Sequence, residues 1–135
     1  KFLPTCDTQD LQKCSQEQIT NTYDNTILYT DYMINQTIEL LKANEDKYET
    51  TLIYFSDHGE SLGENGIYLH GLPYMIAPET QKHVPGLFYL SDAQKKESLQ
   101  KKAKEAFSHD NVFHTLLGLF EVKTSEYKPN LDMFN

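Results

Sequence analysis

The chain contains no arginine, so its twelve basic residues are all lysines. Twenty acidic residues outnumber them and give the 135-residue chain a formal net charge of −8 at pH 7. A nucleic-acid-binding protein normally carries a basic stripe. The acidic balance and the missing arginine therefore argue against a nucleic acid as the partner.

Long apolar runs are also absent. No run approaches the roughly 18 apolar residues that cross a bilayer, and the first residues lead into polar sequence without the pattern of a signal peptide. Hydrophobic residues make up 39 % of the chain and charged residues 24 %, which is typical of a globular protein and too apolar for a disordered one. These features predict a soluble, mature or excised piece that forms one domain or part of one.

Cysteine is scarce, with only Cys6 and Cys14 present. Two thiols are too few for a four-cysteine zinc site. A disulfide across this short loop would stabilise the fold by roughly 2–3 kcal/mol through the entropy of the unfolded chain. Such a bond persists only in an oxidising compartment such as the bacterial periplasm. The spacing leaves open the alternative of two free thiols in a cytosolic loop.

Helical periodicity is strongest in the first third of the chain. A capping box at Ser15 and Gln18 and apolar residues at helical spacing predict a helix over residues 17–44. A second apolar stripe predicts that other structure covers much of this helix: Leu28, Tyr29, Tyr32 and Met33.

Two further helices are predicted near the end of the chain. Residues 92–107 have the pattern of a lysine-rich surface helix, and residues 111–119 form a shorter one preceded by capping residues at 108–110. Within these segments we expect His109 to belong to the helix cap and His114 to be a packed structural residue, whereas His83 is expected in an exposed loop. The tail from Lys123 is polar and is predicted to be irregular.

Two short β-rich runs lie between the helices. Residues 51–55 are continuously apolar, which is typical of a strand buried on both faces of a parallel sheet. Residues 85–90 predict a second strand that starts at Pro85. Residues 59–78 hold four glycines and two prolines and predict a long loop, and loops of that length are usually functional. The order helix, strand, loop, strand, helix indicates an α/β fold, and a sheet of only two strands suggests part of a larger sheet.

Polar residues follow the first predicted strand directly. In open α/β sheets ligands bind beyond the carboxyl ends of the strands, which is where Asp57 and His58 lie. A carboxylate and an imidazole are suitable zinc donors, but a catalytic zinc needs about three protein donors. Glu60, Glu64 and His70 are the other candidates nearby. The alternative is an Asp–His hydrogen bond that only organises the loop.

The whole string over residues 56–71, SDHGESLGENGIYLHG, is more specific. It resembles the lipid A phosphoethanolamine transferases, a membrane-anchored group that includes the mobile colistin (polymyxin) resistance enzymes and lies in the sulfatase branch of the alkaline phosphatase superfamily. Residues 23–31 and 108–118 are similar to that group's long helix and closing helix, and Cys6 and Cys14 match its disulfide pair. The resemblance implies a partial αβα sandwich, with residues 1–135 forming the carboxy-terminal part of a periplasmic sulfatase-like catalytic domain.

The resemblance also implies roles for individual residues. Asp57 and His58 look like two ligands of the catalytic Zn²⁺. His70 matches a histidine that contacts the substrate phosphate or a second metal, and Glu60 matches a carboxylate near the ethanolamine group or an accessory metal. The group's nucleophilic threonine, its remaining zinc ligands and its membrane anchor have no counterpart in this chain. No residue of the chain is therefore expected to act as the nucleophile, and the chain alone is expected to be inactive.

For the intact protein, the resemblance implies transfer of phosphoethanolamine from phosphatidylethanolamine to lipid A through a covalent threonine intermediate. The reaction would take place at the periplasmic face of the bacterial inner membrane. A non-catalytic binding or assembly module stays open as an alternative, and so does a sulfatase or phosphatase relative. We also expect exposed apolar sheet edges where the missing amino-terminal half of the domain belongs, which a second copy of the chain would otherwise cover.

Overall fold

The computed structural model describes all 135 residues and combines helices with short strands. The helices are α1 (Gln16–Lys42), α2 (Glu79–Lys82), α3 (Ala93–Lys101) and α4 (His109–Leu119), and the strands are β1 (Thr51–Phe55), β2 (Ser61–Leu62), β3 (Tyr68–Leu69) and β4 (Gly86–Leu90). The predicted mixture of helix and strand is confirmed. No helix has both the length and the apolar composition needed to cross a membrane.

The long helix α1 begins at the predicted capping box. The Ser15 hydroxyl accepts a hydrogen bond from the Gln18 N–H, and the Gln18 side chain accepts one from the Ser15 N–H. A disulfide joins Cys6 and Cys14 just before this helix, and the Cys6 N–H donates to Thr22 Oγ1 at 2.8 Å. The amino-terminal segment is therefore tied to the first turns of α1.

The second apolar stripe of α1 is not covered by any part of these 135 residues. Its four side chains are between 46 % and 66 % exposed. The expected cover is missing because α1 lies against the rest of the chain by a different face: Ile19 is buried, Ile34 and Ile38 are partly buried, and Gln16 Nε2 donates to Leu62 O at 2.9 Å. The stripe itself faces solvent.

The strands β1 and β4 pair antiparallel, with Thr51 opposite Leu90 and Phe55 opposite Gly86. The interpretation of residues 51–55 as a parallel, doubly buried strand is wrong for this pair. The connection leaves the carboxyl end of β1 and enters β4 at that same end, so the two strands must run in opposite directions. All five β1 residues are only partly buried. The second strand starts at Gly86 rather than Pro85, because proline has no N–H for the ladder.

The predicted loop over residues 59–78 carries a small hairpin. Ser61 and Leu62 of β2 pair with Leu69 and Tyr68 of β3. Buried Gln81, in α2, donates from Nε2 to Ser61 Oγ at 2.9 Å and to Leu69 O at 3.1 Å. The hairpin is therefore fastened to α2, and the loop has more structure than its glycines predicted. Strands of two residues are too short to produce a recognisable alternation in the sequence.

Helix α4 ends at Leu119 as predicted but begins two residues earlier than predicted, at His109, whereas α3 ends at Lys101, well before residue 107. Beyond that point the Lys102 ammonium donates to Met133 O and to the main-chain oxygen of Asn135, so the chain end lies against α3 where it stops. The tail was predicted to be irregular, yet Met133 is only 1 % exposed. Its N–H donates to Thr115 Oγ1 of α4, and the Phe134 ring packs edge-on against Phe88 of β4.

Candidate functional site

The candidate site begins where β1 ends. Ser56 Oγ donates to His58 O at 2.7 Å, and the His58 N–H donates to Asp57 Oδ1 at 3.1 Å. These two bonds close a tight turn beyond the carboxyl end of the strand, in the position that α/β sheets use for ligands. The turn brings the side chains of Asp57 and His58 to the same side.

The His58 ring is oriented by a backbone carbonyl. Its Nδ1 lies 3.0 Å from Gly59 O. Because a carbonyl only accepts, Nδ1 carries the proton and Nε2 carries the lone pair. His58 Nε2 lies 3.8 Å from Asp57 Oδ2. Metal-binding histidines commonly donate their other N–H to a carbonyl in this way, and donors of a tetrahedral zinc site lie roughly 3.3 Å apart. The pair can therefore share one ion after a small movement.

A second group of donors adjoins the first. His70 Nδ1 lies 2.7 Å from Glu60 Oε1, and the rings of His58 and His70 have centroids 3.7 Å apart. Ligand atoms of His58, Glu60 and His70 all lie within 4.8 Å of one another, so these three residues could hold a metal ion.

The other carboxylate oxygen of Glu60 gives independent support for a cation. Glu60 Oε2 is buried and has no hydrogen-bond partner. A buried acceptor without a partner is unusual in folded proteins and calls for an explanation such as an ion. The residues of the site thus fit a divalent metal by donor type and by this unsatisfied oxygen. Asp57, with its side chain 89 % exposed, is open to groups from outside the chain.

The structure brings together Asp57, His58, Glu60 and His70 and excludes Glu64. The carboxylate of Glu64 accepts the Leu62 N–H at 2.7 Å, so this candidate organises the hairpin. The predicted exposed position of His83 and the packed position of His114 are both confirmed. His114 Nδ1 accepts the Lys128 N–H at 3.2 Å, which is a structural contact.

Sequence reasoning missed the position of His109. Its imidazole Nε2 lies 2.8 Å from Ser56 O, whereas the cap of α4 is formed by Ser108 and Asn111. The expectation that His109 belongs to the cap is wrong, because those two side chains already satisfy the capping box. No local pattern could have found this contact, since 53 residues separate its partners.

Clear pKa shifts lie away from the site and mark structural contacts. The hydrogen bond to Glu45 raises the pKa of Tyr89 to about 12. The backbone N–H of Lys95 is the main cause that lowers the pKa of Asp92, which caps α3. The hydrogen bond from Lys82 lowers the pKa of Glu79 in α2.

Comparison with known proteins decides the family. A family model described as sulfatase matches residues 1–122. The chain belongs to the sulfatase family. Within this family it is 58 % identical over 135 residues to the phosphoethanolamine transferase EptA of Salmonella typhimurium, covering 95 % of this chain and 25 % of that protein.

Two further relatives of this sulfatase-family chain have informative names. It is 41 % identical over 128 residues to the phosphatidylethanolamine transferase Mcr-2 of Escherichia coli, covering 95 % of this chain and 23 % of that protein. It is 34 % identical over 115 residues to the Kdo(2)-lipid A phosphoethanolamine 7''-transferase of Escherichia coli K12, covering 78 % of this chain and 20 % of that protein. The chain spans about a quarter of the length of the curated relatives it matches.

Solved structures agree with this assignment. The C-terminal periplasmic domain of phosphoethanolamine transferase EptC from Campylobacter jejuni superposes with a TM-score of 0.96 at 54 % identity, covering 100 % of this chain and 44 % of that one. The integral membrane protein EptA from Neisseria meningitidis superposes with a TM-score of 0.90 at 44 % identity, covering 98 % of this chain and 26 % of that one. The resemblance predicted from residues 56–71 is confirmed, as is the sulfatase-like fold.

Proposed function

We propose that residues 1–135 form the carboxy-terminal part of the catalytic domain of a phosphoethanolamine transferase. The intact protein moves phosphoethanolamine from phosphatidylethanolamine to lipid A at the periplasmic face of the bacterial inner membrane. This proposal is supported by 58 % identity to a protein named phosphoethanolamine transferase, and by 41 % and 34 % identity to proteins whose names include phosphatidylethanolamine and Kdo(2)-lipid A. Superposition on a periplasmic domain and on an integral membrane protein supports the location.

The observation that carries the proposal is the arrangement of Asp57 and His58. The carboxylate and the unprotonated Nε2 of the imidazole face each other beyond β1 at 3.8 Å. Both are suitable zinc donors, and in the proposed site they are two of its ligands. The remaining ligands come from the part of the protein outside this chain.

Glu60 and His70 take the substrate-binding roles. The Glu60 carboxylate holds the His70 ring through Nδ1, which leaves Nε2 as the ring atom that contacts a substrate phosphate oxygen. The unpaired Glu60 Oε2 suits the ammonium group of ethanolamine or an accessory metal. His70 then steadies oxygens that gain negative charge during transfer.

The chemistry is group transfer in two displacements. Asp57 and His58 would hold the zinc ion, which when bound would supply a lower pKa to the attacking hydroxyl and offset negative charge on the phosphoryl oxygens. A threonine oxygen outside this chain bonds to the phosphorus of phosphatidylethanolamine, the bond to diacylglycerol breaks, and the diacylglycerol oxygen takes up the proton. A phosphate oxygen of lipid A then attacks the same phosphorus, and the threonine oxygen leaves and recovers a proton. Asp57 and His58 hold their geometry through both steps.

The test is mass spectrometry of the intact protein after incubation with phosphatidylethanolamine. We expect a phosphoethanolamine adduct on one threonine in the wild type and in the control variant Glu64→Gln, but not in Asp57→Asn or His58→Asn. The 135-residue chain alone should form no adduct. An intact protein that forms no adduct would contradict the proposal: sulfate ester cleavage instead would support a sulfatase, and partner binding alone would support an assembly module.

A further inference from the structure

We propose that His109 is a positioning residue that holds the Asp57–His58 turn from helix α4. Its Nε2 lies 2.8 Å from Ser56 O, and because a carbonyl only accepts, the imidazole N–H is the donor. That carbonyl belongs to the peptide plane that leads into Asp57. Fixing the carbonyl direction fixes the plane, and with it the direction in which Asp57 leaves the strand.

The bond has no substitute within the chain. No other donor in the structure reaches Ser56 O. The following part of the turn is held by other contacts: Ser56 Oγ donates to His58 O, and the Gly59 N–H donates to Gln81 O at 3.0 Å. His109 therefore fastens the entry to the turn, whereas α2 fastens its exit.

The base from which His109 projects is rigidly held. Asn111 accepts the Ser108 N–H at 2.8 Å and donates from Nδ2 to Leu131 O at 2.9 Å. One turn further along α4, Thr115 is 1 % exposed and accepts the Met133 N–H at 3.0 Å. The start of α4 is thus held by the chain end. Through its hydrogen bond to Ser56 O, His109 in turn holds the turn that carries the candidate metal ligands.

Three alternative roles of His109 are not supported by the geometry. The helix cap does not need it, because Ser108 and Asn111 complete the capping box. The imidazole is exposed, so packing does not account for its orientation. It also does not touch Asp57, His58, Glu60 or His70 through a side-chain hydrogen bond or ion pair. Its action on the site passes through the Ser56 carbonyl.

The functional consequence rests on the proposed metal-binding role of Asp57 and His58. Loss of a contact that orients a ligand typically lowers metal affinity or activity by about 10–100-fold. We expect the same for His109→Leu, which removes the N–H donor. His109→Gln keeps an N–H donor at nearly the reach of Nε2, whereas the amide of His109→Asn is too short to reach Ser56 O.

The experiment compares these variants in the intact protein, with His83→Leu as control because His83 is exposed and makes no side-chain hydrogen bond. Hydrogen exchange reports directly on the turn: His109→Leu and His109→Asn should speed exchange of the His58 and Gly59 amides by about tenfold through local opening. His109→Gln and His83→Leu should stay near the wild-type rates. For transfer, kcat of His109→Leu should fall by about tenfold or more with little change in KM.

Unchanged exchange at His58 and Gly59 in both His109→Leu and His109→Asn would overturn the proposal, and so would a His109→Gln variant no better than His109→Leu. The exchange measurement needs neither metal nor substrate. Faster exchange in a protein whose wild type transfers nothing would therefore refute the proposed function and leave the positioning role standing. Transfer by the wild type, together with unchanged exchange in the His109 variants, would support the proposed function and refute the positioning role.

Discussion

The backbone of Gly59 packs directly against the backbone of α2, next to the candidate metal ligands. A Cβ added at this position would lie 2.0 Å from Thr80 O, and the Gly59 N–H donates to Gln81 O at 3.0 Å. Both neighbours are backbone atoms of the α2 segment, so neither can move aside without shifting the helix. The absence of a side chain at Gly59 is what lets His58 lie where it does.

Gly59→Ala should therefore destabilise the protein by about 1–3 kcal/mol, the usual cost of inserting a methyl group into a closed space. It should also weaken zinc binding, because the displaced backbone carries His58. Gly118→Ala is a control away from the site: its Cβ would lie 2.0 Å from Asp132 Oδ2, which is the end of a side chain and not a backbone atom.

Denaturant unfolding and zinc titration separate the two effects. The control should lose less stability, because a side-chain end can turn aside and alanine favours the helix of α4, and it should keep its zinc affinity. If both variants kept their zinc affinity, the backbone of Gly59 would not govern the site.

At the residue scale, the sequence predicted the acid and the imidazole because they follow an apolar run, a relationship visible within a few positions. The contact of His109 with Ser56 could not be predicted, because it depends on how α4 is placed against the end of β1. The unpaired Oε2 of Glu60 was equally hidden, since burial of one oxygen depends on the folded hairpin.

Helix α3 depends on an acidic cap that responds to pH. Asp92 Oδ1 accepts the N–H groups of Gln94 and Lys95 at 2.8 and 3.2 Å, and these bonds keep the pKa of Asp92 below its ordinary value. A carboxylate with a lowered folded-state pKa stabilises the fold fully above its unfolded pKa of about 3.9 and loses that contribution as pH falls further.

We accordingly expect hydrogen exchange in α3 to accelerate as pH falls below about 4, after correction for intrinsic rates. Asp92→Asn keeps a side-chain acceptor but cannot titrate, so its corrected rates should vary less over the same range. Helix α4, capped by Ser108, provides an internal reference. Equal pH dependence of α3 in the wild type and in Asp92→Asn would contradict this account of the cap.

The disulfide acts on the segment before α1. Cys6 and Cys14 are eight residues apart, and a loop of that length contributes roughly 2–3 kcal/mol to stability by restricting the unfolded chain. Reductant should lower the free energy of unfolding by about that amount. The double variant with Cys6→Ser and Cys14→Ser should have the lower free energy of unfolding from the outset, and reductant should not change it. A wild type whose free energy of unfolding does not change with reductant would contradict the prediction.

Among the elements, those with local signals were predicted best. The capping box at Ser15 and the capping residues at 108–110 placed both helix starts within two residues of the observed ones, because a cap is a contact within one turn. The strand direction could not be predicted, because pairing is decided by where the connection returns. The buried tail was missed because Leu131, Met133 and Phe134 show no helical or strand spacing within a polar segment, and the burial of Met133 requires β4 and α4 to be in place.

The whole molecule exposes more surface than a complete domain of its mass. Its accessible surface is 9,927 Å², roughly a third above the about 7,300 Å² expected for a compact monomer of 15.6 kDa. The sheet of β1 and β4 has no strand paired at either outer edge. The exposed stripe of α1 adds to this surface. Together these features support the proposal that the rest of a larger domain covers this piece.

The isolated chain should therefore bind the dye ANS and self-associate, because unpaired strand edges pair with other chains and exposed apolar patches bind apolar molecules. The intact catalytic domain should bind little dye and stay monomeric at the same concentration. Fluorescence and light scattering on both samples provide the comparison. A monomeric isolated chain that binds no dye would contradict the proposed division of the domain.

Anomalous X-ray diffraction at the zinc absorption edge, on crystals of the intact catalytic domain, tests the central claim most directly. The account predicts a zinc peak roughly 2.0–2.2 Å from an Asp57 carboxylate oxygen and from His58 Nε2, with the shell completed by residues outside this chain. A zinc-loaded crystal with no peak at this pair, or with Asp57 turned away from an ion held only by His58, Glu60 and His70, would contradict it.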